Sequence, residues 1–148
     1  MNLSPSFLSF MLTAAMAGVC LCGCATAPEA SLASWEGVEL KAIRMVSGGL
    51  AVALPENYSI TLKLEPDGKV SGRSAVNRYF GAFSKVSDGT ILWQGSLGAT
   101  RMAGPPVAMQ LETEFFKTLT STTIVRSGAT TLTFKSADGK NLVEFGRP

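Results

Sequence analysis

Residues 58–73 read YSITLKLEPDGKVSGR, and the fold follows from how they are read. Tyr58, Ile60, Leu62 and Leu64 alternate with Ser59, Thr61 and Lys63. That period of two belongs to a strand with one buried face. Pro66-Asp67-Gly68 then interrupts the run, and a glycine at that point supplies the positive φ of a tight turn. Lys69–Arg73 follows as the return strand. The stretch therefore predicts an antiparallel hairpin.

The same grammar recurs toward the C-terminus. RYFGAFSKV (78–86) and TILWQGS (90–96) flank Ser87-Asp88-Gly89. TTIVRS (122–127) and TTLTFK (130–135) flank Gly128-Ala129, and Ala137-Asp138-Gly139 leads into NLVEFG (141–146). Residues 46–57, VSGGLAVALPEN, hold a Gly-Gly turn signal and a short strand-like run, with neither reading favoured. One segment departs from the β pattern. Residues 106–120, PVAMQLETEFFKTLT, place Val107, Leu111, Phe115 and Leu119 at i, i+4 spacing behind Pro105-Pro106. This predicts one amphipathic helix. The expected fold class is α+β: an antiparallel, partly open β-barrel-like sheet with one packed amphipathic helix.

The N-terminus obeys different rules. Of 148 residues, the first 28 carry no charge, and all 13 Lys+Arg and 11 Asp+Glu lie beyond them. Residues 1–23 are therefore expected to be a signal peptide rather than part of the fold. They end in Leu21-Cys22-Gly23-Cys24, which resembles the bacterial lipobox. The resemblance implies cleavage before Cys24 and acylation of Cys24, which would hold the protein on a membrane through its acyl chains. The n-region MNLSPS lacks Lys and Arg, so an uncleaved transmembrane anchor stands as the alternative. Residues 24–34 read as a lipidated flexible tether, and 35–148 as the domain. Ala25 follows Cys24 where Asp would favour retention, so the expected location is the outer membrane, facing the periplasm.

Composition narrows the chemistry. There is no histidine, so no His base, His ligand or Ser-His-Asp triad exists. The three cysteines, Cys20, Cys22 and Cys24, all lie in or beside the leader, so the domain has no thiolate site and no disulfide. A net charge of +2 is too mild to argue for nucleic acid or an acidic surface. Glu112 and Glu114 diverge on the predicted helix, and no Ser-x-x-Lys box is present. No enzymatic activity, metal or cofactor is expected.

The segment GKVSGRSAVNRYFGAF (68–83) resembles the signature of the META domain, the HslJ-like family. The matching positions are Asp67, Gly68, Val70, Gly72, Ala75-Val76-Asn77-Arg78-Tyr79 and Gly81. A second family element is matched by Thr100-Arg101-Met102-Ala103-Gly104, followed by Glu112, Phe115 and Leu119. Trp35 resembles the tryptophan that opens the domain, and TLTFKSADGKNLVEF its last two strands. Two cysteines of the family pattern are replaced, by Val76 and Gly104, a coherent joint loss if those positions touch. Its glycine before the first cysteine is Ala75 here, so this backbone is expected to avoid positive φ.

The resemblance implies a bacterial envelope protein, in a family where many members are lipoproteins and no common enzymatic activity is known. Some members are linked to heat shock and novobiocin resistance. The expected function is therefore a non-catalytic binding module tied to envelope integrity or stress tolerance. Its partners would be the membrane, through Cys24, and an envelope protein or apolar ligand. The alternative is a pilotin-like assembly factor or lipid carrier with an apolar cavity between helix and sheet. A third reading, a protease inhibitor, would need an exposed rigid loop near 95–105.

Individual residues stay open between roles. Asn77 is either a ligand contact or an Asx-turn satisfying loop backbone. Arg78 and Arg101 form an anion pair if the two motif loops meet, or else are solvated or paired with Glu112 or Glu114. Gly72 and Gly81 are explained by close backbone approach or a bulge. Thr100 and Met102 complete the motif set. Of the adjacent Phe115 and Phe116, one is expected to leave the core for a cleft or the surface.

Overall fold

The computed structural model describes residues 31–86 and 89–148. The leader, the lipidation position Cys24, the tether up to residue 30 and the Ser87-Asp88 turn lie outside the described residues. Among the described residues there are ten strands and one α-helix: β1 Glu39–Ser47, β2 Leu50–Val52, β3 Thr61–Leu64, β4 Lys69–Ser74, β5 Asn77–Lys85, β6 Ile91–Trp93, β7 Gly98–Ala99, α1 Pro106–Thr120, β8 Ile124–Ser127, β9 Thr131–Lys135 and β10 Leu142–Gly146. The sheet runs β6-β5-β4-β3-β1-β10-β9-β8, with β2 on β1 and β7 on β5. All named pairs are antiparallel. A Thr90–Ile124 bridge joins the two ends of this path, so the sheet curls into a nearly closed barrel. The α+β barrel-like reading of the sequence is the observed architecture.

The alternation seen in 58–64 emerges as buried Ile60, Leu62 and Leu64 between half-buried Thr61 and Lys63. Its turn is a single 3-10 turn, with Asp67 at φ 67° and Gly68 at φ 73°. The ambiguous segment resolves into a Gly48-Gly49 turn and β2. The central strand β1, by contrast, is not signalled by period two. A register shift between Ala42 and Arg44 turns Ile43 out to 55 % exposure, while Ala42 and Met45 stay buried. A bulge adds one residue and breaks the alternation that would announce the strand. β1 pairs with β3 on one side and β10 on the other, so it joins the two halves of the chain.

Helix α1 occupies the predicted residues. Leu111, Phe115 and Leu119 are buried as expected, but Val107 is 62 % exposed. A helix turns about 100° per residue, so a strict i+4 stripe drifts about 40° at each step. By the N-terminal turn the stripe has left the core, and Ala108 is buried instead. Phe115 is fully buried, and its neighbour Phe116 lies half-buried against Tyr79. Tyr79 meets Phe115 and Phe116 edge-on, at ring-centroid distances of 5.3 and 5.7 Å.

Trp35 closes one end of the barrel. It ends a 3-10 turn, Leu32–Trp35, whose N-terminus is capped by the Ser31 side chain accepting from Ala33 N–H. This turn begins within the stretch read as tether. The buried indole donates through Nε1 to Ser127 Oγ, and the Arg147 guanidinium sits 4.9 Å over its ring. The core of buried apolar residues runs from Trp35 to Phe145. Residues 31–86 and 89–148 thus share one hydrophobic core, the requirement for folding as one unit.

Candidate functional site

The β4–β5 hairpin reverses through Ala75 and Val76, with Ser74 directly opposite Asn77. The expectation that Ala75 avoids positive φ is corrected here: its φ is 67°. Val76 N–H donates to Ser74 C=O at 2.9 Å, which closes a three-residue γ-turn centred on Ala75. The positive φ makes this the rare, strained form of the turn; the commoner inverse form holds its central residue at negative φ. The turn also leaves the Asn77 N–H free of the Ser74 carbonyl, and a side chain from α1 takes that donor.

That side chain is Glu112. It is 7 % exposed, buried between the hairpin and the helix. Its Oε2 accepts from Asn77 N–H and from Ser74 Oγ–H, both at 2.9 Å. Its Oε1 accepts from Asn77 Nδ2 at 2.8 Å. Three donors thus meet a buried carboxylate that has no cationic partner among the described residues, which offsets the cost of taking it out of water.

Asn77 is the centre of the arrangement. Its Oδ1 accepts from Thr100 Oγ1 and from Met102 N–H, each at 2.8 Å. Its Nδ2 donates to Met102 C=O at 3.2 Å as well as to Glu112. All four hydrogen-bonding positions of this amide are occupied. The Asx-turn reading of Asn77 does not describe this. It is no local Asx-turn, since its partners lie 23 to 35 residues along the chain. It ties the hairpin, the Thr100–Met102 loop and the helix together.

The two motif loops therefore meet, as the anion-pair reading required. Arg78 N–H donates to Thr100 Oγ1, and Thr100 N–H donates to Arg78 C=O. Yet Arg78 and Arg101 are both exposed, and neither forms an ion pair with Glu112 or Glu114. Glu114 points elsewhere, toward Ser47 Oγ at 2.9 Å and Lys117 at 3.9 Å. Met102 contributes its backbone to Asn77, while its side chain is 55 % exposed. Gly72 is a close-approach glycine: a Cβ there would run into the Thr61 carbonyl and lie 2.9 Å from the Tyr79 ring. At Gly81 the Leu97 side chain fills the space a Cβ would need.

Sequence reasoning missed one member of this network, Ser74, which carried no signal. Glu112 was named in the second family element but not as the acceptor for Asn77; it follows Ala108 by four residues and precedes Phe115 by three, on the buried face. The space between α1 and the sheet is filled by Ala108, Leu111, Phe115 and Leu119. The groove at the helix edge, lined by Val52, Pro55, Val107 and Leu111, has about 190 Å³. That is less than the roughly 300 Å³ at which small-molecule pockets begin.

Fold and site together define a small barrel-like α+β domain whose motif residues bond to one another. The chain belongs to the META domain family, whose model matches residues 31–148. No curated protein sequence matches it significantly. Among solved structures it is similar to a protein from Burkholderia xenovorans determined by NMR, at 24 % identity and a TM-score of 0.63, covering 97 % of this chain and 98 % of that one. A DUF4847 family protein from Bacteroides vulgatus is similar at 10 % identity and a TM-score of 0.55, covering 79 % of this chain and 96 % of that one. Both likenesses show the fold alone.

Proposed function

We propose that this chain is a membrane-anchored envelope lipoprotein whose META domain acts as a binding module rather than an enzyme, in the service of envelope integrity or stress tolerance. The observation that carries the non-catalytic part is the saturation of Asn77. Its amide has no donor or acceptor left for a substrate, and Glu112, the buried carboxylate beside it, is committed to three protein donors. A general base needs a lone pair within reach of a substrate proton. The anchoring part rests on the Leu-Cys-Gly-Cys ending of the apolar leader. Acylated Cys24 would keep the domain beside a membrane, and Ala25 favours the outer membrane of a two-membrane envelope, facing the periplasm.

The test is the mass of the mature protein extracted from its own membranes, together with fractionation of Cys24→Ser. The reading expects an N-terminus at Cys24 carrying acyl chains, and expects the variant to lose that modification. A wild-type protein that retains residues 1–23 unmodified, with Cys24→Ser equally membrane-bound, would overturn it.

A further inference from the structure

On the outer face of the sheet, two arginines stand directly opposite each other. Arg73 on β4 and Arg78 on β5 are register partners, and both are exposed. Directly opposed residues of an antiparallel pair share a face, and like charges there destabilise the pair. Among the described residues neither guanidinium has a hydrogen-bond or ion-pair partner. Elsewhere the sheet does the opposite: Arg44 faces Glu144 across β1 and β10.

The surroundings extend the charge. Lys41 on β1, Lys63 on β3 and Lys69 on β4 lie on the same face, because each alternates with buried Leu40, Leu62 or Val70. Lys63 is neutralised by Glu65 at 2.9 Å and stands opposite Glu39. Lys41, Lys69, Arg73 and Arg78 form no ion pair among the described residues. Beside them Phe80, opposite Ser71, is 64 % exposed, its ring lying over Gly98. A shallow groove of about 460 Å³ runs between Glu39, Lys63, Gly72, Arg73, Arg78 and Phe80, so one carboxylate, itself opposite Lys63, lies among these cations.

We infer that this outer face of β1-β3-β4-β5 docks on an anionic phospholipid surface. The four free cations sit on β1, β4 and β5, which at about 4.8 Å per strand spacing spreads them over roughly 14 Å. A broad array matches the many phosphates of a membrane better than one bound anion. An exposed aromatic among cations is the composition that enters the headgroup boundary. The choice of a membrane as occupant rests on the anchored-lipoprotein reading, since acylation would hold this face close to headgroups. Docking would bring the opposed arginines the counter-charge they lack.

The test uses residues 31–148, without leader or lipid, and vesicles of phosphatidylcholine alone or mixed with an equal part of phosphatidylglycerol. Flotation should show binding only with phosphatidylglycerol, weakening as salt rises. Arg73→Ser/Arg78→Ser should lower that partitioning about 25-fold, from a factor of about five per cation removed. Phe80→Ser should lower it further, and Lys85→Ser/Lys117→Ser should not. Thermal melting of the double arginine variant should be unchanged or raised, which separates docking from folding. Absence of phosphatidylglycerol-dependent binding, or binding indifferent to the arginine pair, would overturn the inference. So would binding of polyglutamate in place of vesicles, which would mark an acidic polypeptide as the occupant. None of these outcomes bears on Cys24 acylation, which the mass of the mature protein reads separately.

Discussion

Val76 and Gly104 are in contact across the two motif loops. A Cβ on Gly104 would lie 3.4 Å from the Cβ of Val76 and 2.5 Å from its Cγ2. These are the positions where the family pattern resembled by the sequence carries cysteines. The absence of a side chain at 104 makes room for the branched one at 76, so the two replacements compensate each other.

Val76→Cys with Gly104→Cys should therefore form a disulfide on oxidation. The separation is at the short edge of the roughly 3.5–4.5 Å between Cβ atoms of a bridge. Closing a loop of about 28 residues should add about 3–4 kcal/mol of stability. Free-thiol titration and melting with and without reductant read both effects. Two free thiols after oxidation would show that the loops do not meet as described.

Ala75→Gly should stabilise the domain by about 0.5–1 kcal/mol. An L-residue held at positive φ costs about 1–2 kcal/mol, and glycine escapes this at a smaller entropic cost. Urea unfolding of the variant checks it, and a lowered midpoint would contradict the γ-turn.

Asn77→Ala should cost about 2–4 kcal/mol, because it strips a donor from the buried Glu112 and a partner from Met102. Asn77→Asp should cost more, since it sets a second carboxylate oxygen where Nδ2 now lies, 2.8 Å from Glu112 Oε1. Equilibrium unfolding ranks the two variants. If both unfold at the wild-type midpoint, the network does not hold the hairpin to the helix.

Stability should fall as pH rises past about 10, the ordinary phenol value. Burial raises the Tyr79 hydroxyl well above that range, where it donates to Thr61 C=O at 2.8 Å. The folded state keeps its proton while the unfolded chain releases it. The contribution is thus fully present below the unfolded pKa and is lost above it, by about 1.4 kcal/mol per pH unit. Tyr79→Phe should start less stable for want of that bond and lose less at alkaline pH. Unfolding curves between neutral and alkaline pH compare the slopes. Equal slopes would mean that Tyr79 ionises without unfolding.

Hairpin order, the Asp67-Gly68 and Gly48-Gly49 turns and the boundaries of α1 were legible in the sequence because they are local. A period of two, an Asp-Gly dipeptide or an i+4 stripe acts over a few residues, and the physics that sets it is written in the same few residues. Where the pattern is interrupted, as by the bulge at Ile43 in β1, or drifts, as at Val107, local reading fails. The joining of β1 to β10 across a hundred residues has no local trace, and neither does the burial of Trp35 against Ser127.

The candidate site divides in the same way. Asn77, Thr100, Met102 and Glu112 could each be picked from the sequence by resemblance, but not what they do to one another. Their roles depend on which donor faces which acceptor, and that is decided only when hairpin, loop and helix converge. The positive φ of Ala75 is likewise imposed by the hairpin on a residue that would not choose it. The sequence by itself determined the hairpin strands that follow β2, the helix and the thin chemical inventory. The tertiary structure alone decided that the motif's polar groups face inward, because a buried carboxylate and amide are tolerated only where each finds its partners.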